Sequence, residues 1–178
     1  ERLHMRITAK ITLKSKKDEA VRRFHPWVFS GAIKDIDGNP EDGDWVEVYS
    51  NKGSYLAAGH YQSEGSIAIR LLAWDKEVPD EDFWLKRLKM AFNLRKSVGL
   101  ISDPQLNVYR LVFAEGDMLP GLIIDHYDGN LVIQCHSTGM IAALDHIVTG
   151  LRNLYGTGLK TIYNRSEISG RRSGGSDG

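Results

Sequence analysis

The sequence predicts a mainly β, α+β chain: a small closed β-barrel followed by a small unit of order α-β-β-β-α-β. Three observations carry this. Residues 6–74 hold five or six short, closely spaced strand-like segments with turn residues between them, a pattern that favours a sheet closed on itself to hide its edges. Two amphipathic helical stretches, after Asp80 and after Ser137, come next. Between them, Arg110–Gln134 reads as three strands joined by two turns. The expected divisions are 5–75 for the barrel, 76–166 for the α+β unit and 167–178 for a linker.

In the first segment, Ile7, Ala9, Ile11 and Leu13 alternate with Thr8, Lys10, Thr12 and Lys14, a half-buried strand with a basic outer face. Ser15–Arg23 is polar and basic, a short helical turn at most. Pro26 keeps His25 extended. The turn clusters Asp37-Gly38-Asn39-Pro40 and Glu41-Asp42-Gly43-Asp44 lead into WVEVY at Trp45–Tyr49. Strands at Tyr55–Ala58, continuing through Gly59–Tyr61, and at Ser66–Trp74 complete the set.

Asp80 is placed to cap a helix whose first turn holds Glu81 and Asp82 and whose last holds Arg95 and Lys96, with Gly99 as its stop. Three strands follow, at Arg110–Ala114, Leu122–Asp125 and Leu131–Gln134. Glu115-Gly116-Asp117 breaks the first. Pro120-Gly121 bends the chain into the second, and Asp128-Gly129 is a strong hairpin signal, because Gly accepts positive φ freely. A helix capped by Ser137 or Thr138 is expected to run to about Tyr155, ended by Gly156, before a last strand at Lys160–Tyr163. Residues 167–178 are nearly devoid of apolar side chains and read as a linker.

The 178 residues suffice for one ordinary domain or two small ones, and 42% hydrophobic with 26% charged residues places the chain among globular proteins. No apolar run approaches the roughly 18–20 residues that span a bilayer. No secretory leader is visible and Cys135 is alone, so a reducing cytoplasm is expected. Net charge is zero but uneven. Residues 1–34 carry nine Lys/Arg against three Asp/Glu, net +6, and residues 35–178 carry fourteen against twenty, net −6. A basic end on an acidic remainder suits a polyanion partner, but charge taken alone favours a solvated basic edge.

Two motifs carry a resemblance. His25-Pro26-Trp27-Val28-Phe29-Ser30-Gly31-Ala32-Ile33 follows the basic residues Lys14, Arg22 and Arg23, and Glu115-Gly116-Asp117 is followed by Leu119-Pro120-Gly121-Leu122-Ile123 and Asp125. Together with Tyr163-Asn164-Arg165-Ser166 they resemble the N-terminal half of the 23S ribosomal RNA cytosine-5 methyltransferases that use S-adenosylmethionine. The resemblance runs from about Ile7 to Ser166. It implies a PUA-like RNA-binding barrel, an α+β middle domain, and 23S ribosomal RNA as partner. It also implies S-adenosylmethionine as the parent protein's cofactor, held by a Rossmann-like domain that lies outside this chain. No G-x-G-x-x-G follows a strand here, so the chain alone is expected to bind no cofactor, to carry no catalytic residue and to be inactive. The rival expectation is a non-catalytic RNA-binding, docking or dimerisation module, or a relative acting on another base or RNA.

The expected RNA-binding residues are Lys10, Lys14, Lys16, Lys17, Arg22, Arg23, His25 and Arg70, because cations neutralise phosphates while Arg and aromatic rings stack on unpaired bases. Arg70 could instead pair with an acid, and Trp27 is expected to anchor the barrel core. Cys135 beside His136 invites a thiolate, yet a Cys ending an apolar strand is an ordinary core residue. Glu115 and Asp117 are expected to shape their turn rather than to catalyse. Asp125 and His126 point to opposite strand faces, and no histidine has ligand spacing, so no metal site is expected.

Overall fold

The computed structural model describes residues 7–166. Residues 5–6 of the expected barrel and the expected linker at 167–178 lie outside the described residues. Six strands form the first sheet: β1 (Ala9–Leu13), β2 (Trp27–Phe29), β3 (Ile33–Gly38), β4 (Trp45–Tyr49), β5 (Tyr55–Tyr61) and β6 (Ile67–Ala73). One helical turn, α1 (Glu19–Arg22), interrupts them after β1, and a 3₁₀ turn, Ser30–Ala32, links β2 to β3. Their order is β2-β6-β5-β4-β1-β3, antiparallel except for the parallel pair β1–β4.

The expected closed barrel is a curled half-barrel. β2 and β3 are its two edges, and among the described residues no ladder joins them. The reason is legible in those strands: β2 has three residues, and five of the six in β3 are exposed. β3 gives no strand signal in the sequence for the same reason, since Lys34-Asp35-Ile36-Asp37 has too little apolar alternation to stand out from a turn.

The second sheet has order β10-β9-β8-β7, built from β7 (Val108–Phe113), β8 (Leu122–Tyr127), β9 (Asn130–Cys135) and β10 (Thr161–Asn164), with β10 parallel to β9. The Asp128-Gly129 hairpin turn is present, with φ of 49° and 81° at its two residues. The helix α2 (Glu81–Ser97) starts where Asp80 accepts a hydrogen bond from the Phe83 N–H at 2.9 Å. The single helix expected from Ser137 to Tyr155 is two: α3 (Thr138–Ala142), capped by Ser137 Oγ on the Met140 N–H, and α4 (Leu144–Tyr155). Apolar spacing runs through the break at Ala143, so periodicity does not reveal it.

The two sheets are not separate bodies in packing. Along β4 to β6, alternate side chains serve two cores. Val46, Val48, Ala57 and Leu71 fill the half-barrel with Ile11, Leu13 and Val28. Trp45, Ala58 and Leu72 point the other way and pack with Phe83, Trp84 and Leu88 of α2. Alternation alone marks such a strand as half-buried, although both of its faces are covered. At this seam stands His60, 2% exposed, stacked on Trp84 (6.0 Å, 19°) and edge-on to Trp45 (5.6 Å, 79°). Neither ring nitrogen has a hydrogen-bond partner among the described residues, and burial pushes its pKa down to about 3. Gly139 makes the fit: a Cβ there would fall 2.1 Å from His60 Cγ.

Candidate nucleic-acid interface

The basic residues fall into three groups. The turn between β1 and α1, with α1 itself, brings together Lys14, Lys16, Lys17, Arg22 and Arg23, all exposed. Arg22 is already paired with Asp18 at 2.8 Å, and Lys14 Nζ donates to the Gly31 carbonyl at 2.9 Å. Lys16, Lys17 and Arg23 have no ion pair among the described residues.

Lys10 stands apart. It lies four residues back along β1, about 13 Å at strand rise, and its ammonium sits over the Tyr49 ring at 5.9 Å. Arg70 is apart in the other direction. It is half-buried on β6, opposite Trp27 in register, and donates to Gln62 Oε1 at 3.0 Å. Desolvation lowers its pKa, opposed by the nearby Glu115 carboxylate, so it belongs to the seam more than to the basic face.

Beside the first group, His25, Trp27 and Phe29 form an aromatic cluster. Residues 27 and 29 share a strand face, while Val28 turns inward and is buried. The ring centroids of His25–Trp27, Trp27–Phe29 and His25–Phe29 lie 5.8, 6.3 and 6.4 Å apart. With Lys17, α1 and Gly31–Ala32 they line a cavity of about 380 Å³. Phe29 is 46% exposed.

Trp27 is therefore not the core anchor that the sequence suggested. It is half-buried, and its Nε1–H donates to Glu115 Oε1 at 3.0 Å, across to the 3₁₀ turn Ala114–Asp117. Pairing with a carboxylate 88 positions away leaves no local signal. The period-two spacing of Trp27 and Phe29 is the signal that could have flagged Phe29, and placing Trp27 inward hides it.

Of the other candidates, Asp117 forms a bidentate ion pair with Arg95 and accepts the Phe113 N–H, so it orders its turn. Cys135 is fully buried, and burial pushes its thiol up, away from thiolate chemistry. Asp125 pairs with Arg110 on one face of β8, while His126 stacks on Tyr109 on the other. No cluster of metal-ligating side chains occurs among the described residues. Where β9 leads into α3, at Cys135–Thr138, the glycine just inside the helix, Gly139, is packed against His60 rather than open to a ligand.

Residues 11–74 match the family described as a PUA-like domain. Over 95% of its length the chain is similar to proteins named ribosomal RNA large subunit methyltransferase I. The Aeromonas hydrophila protein is 41% identical over 170 residues, 95% of this chain and 42% of the relative. The Photobacterium profundum protein is 42% identical over 171 residues, again 95% and 42%. The chain thus spans well under half the length of these curated relatives. A solved structure of a candidate SAM-dependent methyltransferase from Streptococcus mutans shares the fold, with a TM-score of 0.73 and 20% identity, over 88% of this chain and 40% of that one.

Proposed function

We propose that this chain is the RNA-recognition region of an S-adenosylmethionine-dependent ribosomal RNA methyltransferase, acting on cytosine-5 of 23S ribosomal RNA in the cytoplasm. The observation that carries it is the face around α1, where unpaired Lys and Arg side chains flank exposed aromatic rings on a PUA-like half-barrel. Such a face offers charge for phosphates and ring faces for bases, the two parts of RNA recognition.

In this reading Lys14, Lys16, Lys17, Arg22, Arg23 and His25 meet RNA first, with Lys10 and Arg70 at the margins. The α+β unit holds the half-barrel through the Trp45–Trp84 seam and the Trp27–Glu115 bond. The cofactor supplies the methyl group in the parent protein, and these residues only bind and orient the substrate. By themselves they bind no cofactor and transfer no methyl group. A second reading, docking or dimerisation, has one observation behind it: Phe113 on the edge strand β7 and Tyr127 on the adjoining β8 are exposed.

The test is binding of the chain to a ribosomal RNA fragment across a salt series, beside Lys14→Glu/Lys17→Glu/Arg23→Glu. Affinity is expected to fall steeply with salt and to fall far in the triple variant at every salt. Absence of binding by the wild type and the triple variant alike at low salt would refute the reading in favour of docking.

A further inference from the structure

The cavity between α1 and β2 has a shape that charge alone does not explain. At about 380 Å³ it sits at the small end of ligand-pocket sizes, roughly 300–1,000 Å³. One side is aromatic: His25, Trp27 and Phe29. The rest of the lining is small and apolar, Ala20, Val21, Val28 and Ala32, with Gly31 among them. A Cβ built on Gly31 would meet nothing within 4 Å, so a planar group can approach the chain there. Lys17 lines the cavity and has no ion pair among the described residues.

Trp27 is fixed rather than adaptable. Its indole N–H is tied to Glu115, and the rings of His25 and Phe29 stand on it at 80° and 87°. Phe29 is almost half exposed, so part of its ring surface is open to a partner. Holding a large apolar ring partly in water is unfavourable by itself, and a planar partner would remove that penalty.

We propose that this cavity is a slot for one unpaired nucleobase, stacked on Phe29 beside the Gly31 backbone, with Lys17 against the adjoining phosphate. The proposal rests on the RNA-recognition reading above and adds to it that the half-barrel selects unpaired over duplex RNA. A duplex hides its base faces and offers only edges and backbone, which a recess of this size cannot use. The free ammonium groups around the rim favour a polyanion over an apolar peptide in the same recess.

The 178-residue chain is titrated by fluorescence anisotropy, at low salt, with a labelled single-stranded RNA twelve nucleotides long and with the same strand annealed to its complement. The single strand is expected to bind tighter by roughly 5- to 150-fold, the range that stacking of one base provides. Phe29→Ala should erase that preference and leave duplex binding unchanged. Gly31→Leu should do the same without removing a ring, because it adds bulk to the cavity lining at a position where a Cβ meets no neighbour within 4 Å. Equal affinity for the two RNAs, tighter binding of the duplex, or an unaltered preference in folded Gly31→Leu would overturn the slot while leaving RNA recognition standing. If neither RNA binds, the slot and the RNA-recognition reading both fall.

Discussion

Two cavities on this molecule are lined by the same kinds of side chain, aromatic and cationic, and they differ in what the cations are doing. The one on the second sheet, about 630 Å³, is the larger and holds Arg95, Arg110, Phe113 and Tyr127. Arg95 is bound bidentately to Asp117, and its Nε–H also donates to the Arg110 carbonyl on the edge strand β7. Arg110 pairs with Asp125 at 2.7 Å and lies over the Phe113 ring. Every guanidinium there is already neutralised by a carboxylate. The smaller cavity on the half-barrel has Lys17 at its rim with no such partner among the described residues. Size therefore misleads: the larger cavity is held together by its charges, and the smaller one presents its charge outward.

The comparison would break if the two regions did not behave as one packed body. The largest effect is expected at Trp84, fully buried and shared by the α2 core and the outer face of the half-barrel. Trp84→Ala should lower unfolding stability by about 3–5 kcal/mol, the usual range for deleting a buried aromatic. Urea unfolding followed by far-ultraviolet circular dichroism should show one transition in the wild type, shifted as a whole in the variant. Two separated transitions in the wild type would mean that the seam does not couple the sheets.

Next comes Asp117, whose side chain is 3% exposed and whose partner Arg95 is 11% exposed. Asp117→Ala leaves a nearly buried guanidinium without its counter-charge and the Phe113 N–H without its acceptor. Removing one partner of such a pair typically costs about 3–5 kcal/mol, and the lower end is expected here because Arg95 keeps its bond to the Arg110 carbonyl. Among the folded population, RNA affinity at low salt should stay within twofold. A tenfold loss would place the second cavity in the binding surface and overturn the contrast drawn above.

His60 gives the seam a pH signature. Its pKa is about 3 in the folded chain, against 6.5 when solvated, so the native state binds fewer protons than the unfolded one below pH 6.5. Its contribution is fully present above that pH and is lost progressively as the pH falls from 6.5 toward 3. Between roughly pH 6.5 and 4.5 the loss should reach about 2–3 kcal/mol for this one group, since each pH unit between the two pKa values costs about 1.4 kcal/mol. Urea midpoints at several pH values, compared with His60→Leu, would measure it. The variant should flatten the slope whatever its absolute stability, and an identical slope in both proteins would assign the acid sensitivity elsewhere.

How far the sequence foretold this arrangement depends on where its signals are local. The Asp80 cap, the Asp128-Gly129 turn and the strands at 110–114, 122–125 and 131–134 were legible because each rests on a few adjacent residues. The basic residues of the first segment were legible as charge, but not which were free, since Asp18 takes Arg22, the Gly31 carbonyl takes Lys14 and Tyr49 takes Lys10 only in space. His60 reads as an isolated histidine without ligand spacing, and its burial depends on Trp84 and Gly139, far along the chain. The Trp27–Glu115 bond was hidden for the same reason: two well-marked motifs gave no sign that they touch.

The smallest expected effect is the sharpest test of the two cavities, because it sets one cation of each side by side. Lys17→Ala removes a free ammonium next to the aromatic slot, and Arg110→Ala removes a guanidinium already held by Asp125. If phosphate contact requires an unpaired cation, the Lys17 variant should reduce the magnitude of the slope of log affinity against log salt by about 0.7, one phosphate's share for single-stranded RNA. The Arg110 variant should leave that slope unchanged and move affinity by less than twofold, since the carboxylate it frees on Asp125 lies on the other sheet. Equal slopes for the two variants would mean that pairing with a carboxylate does not withdraw a cation from RNA here, and both cavities would have to be counted in the binding face.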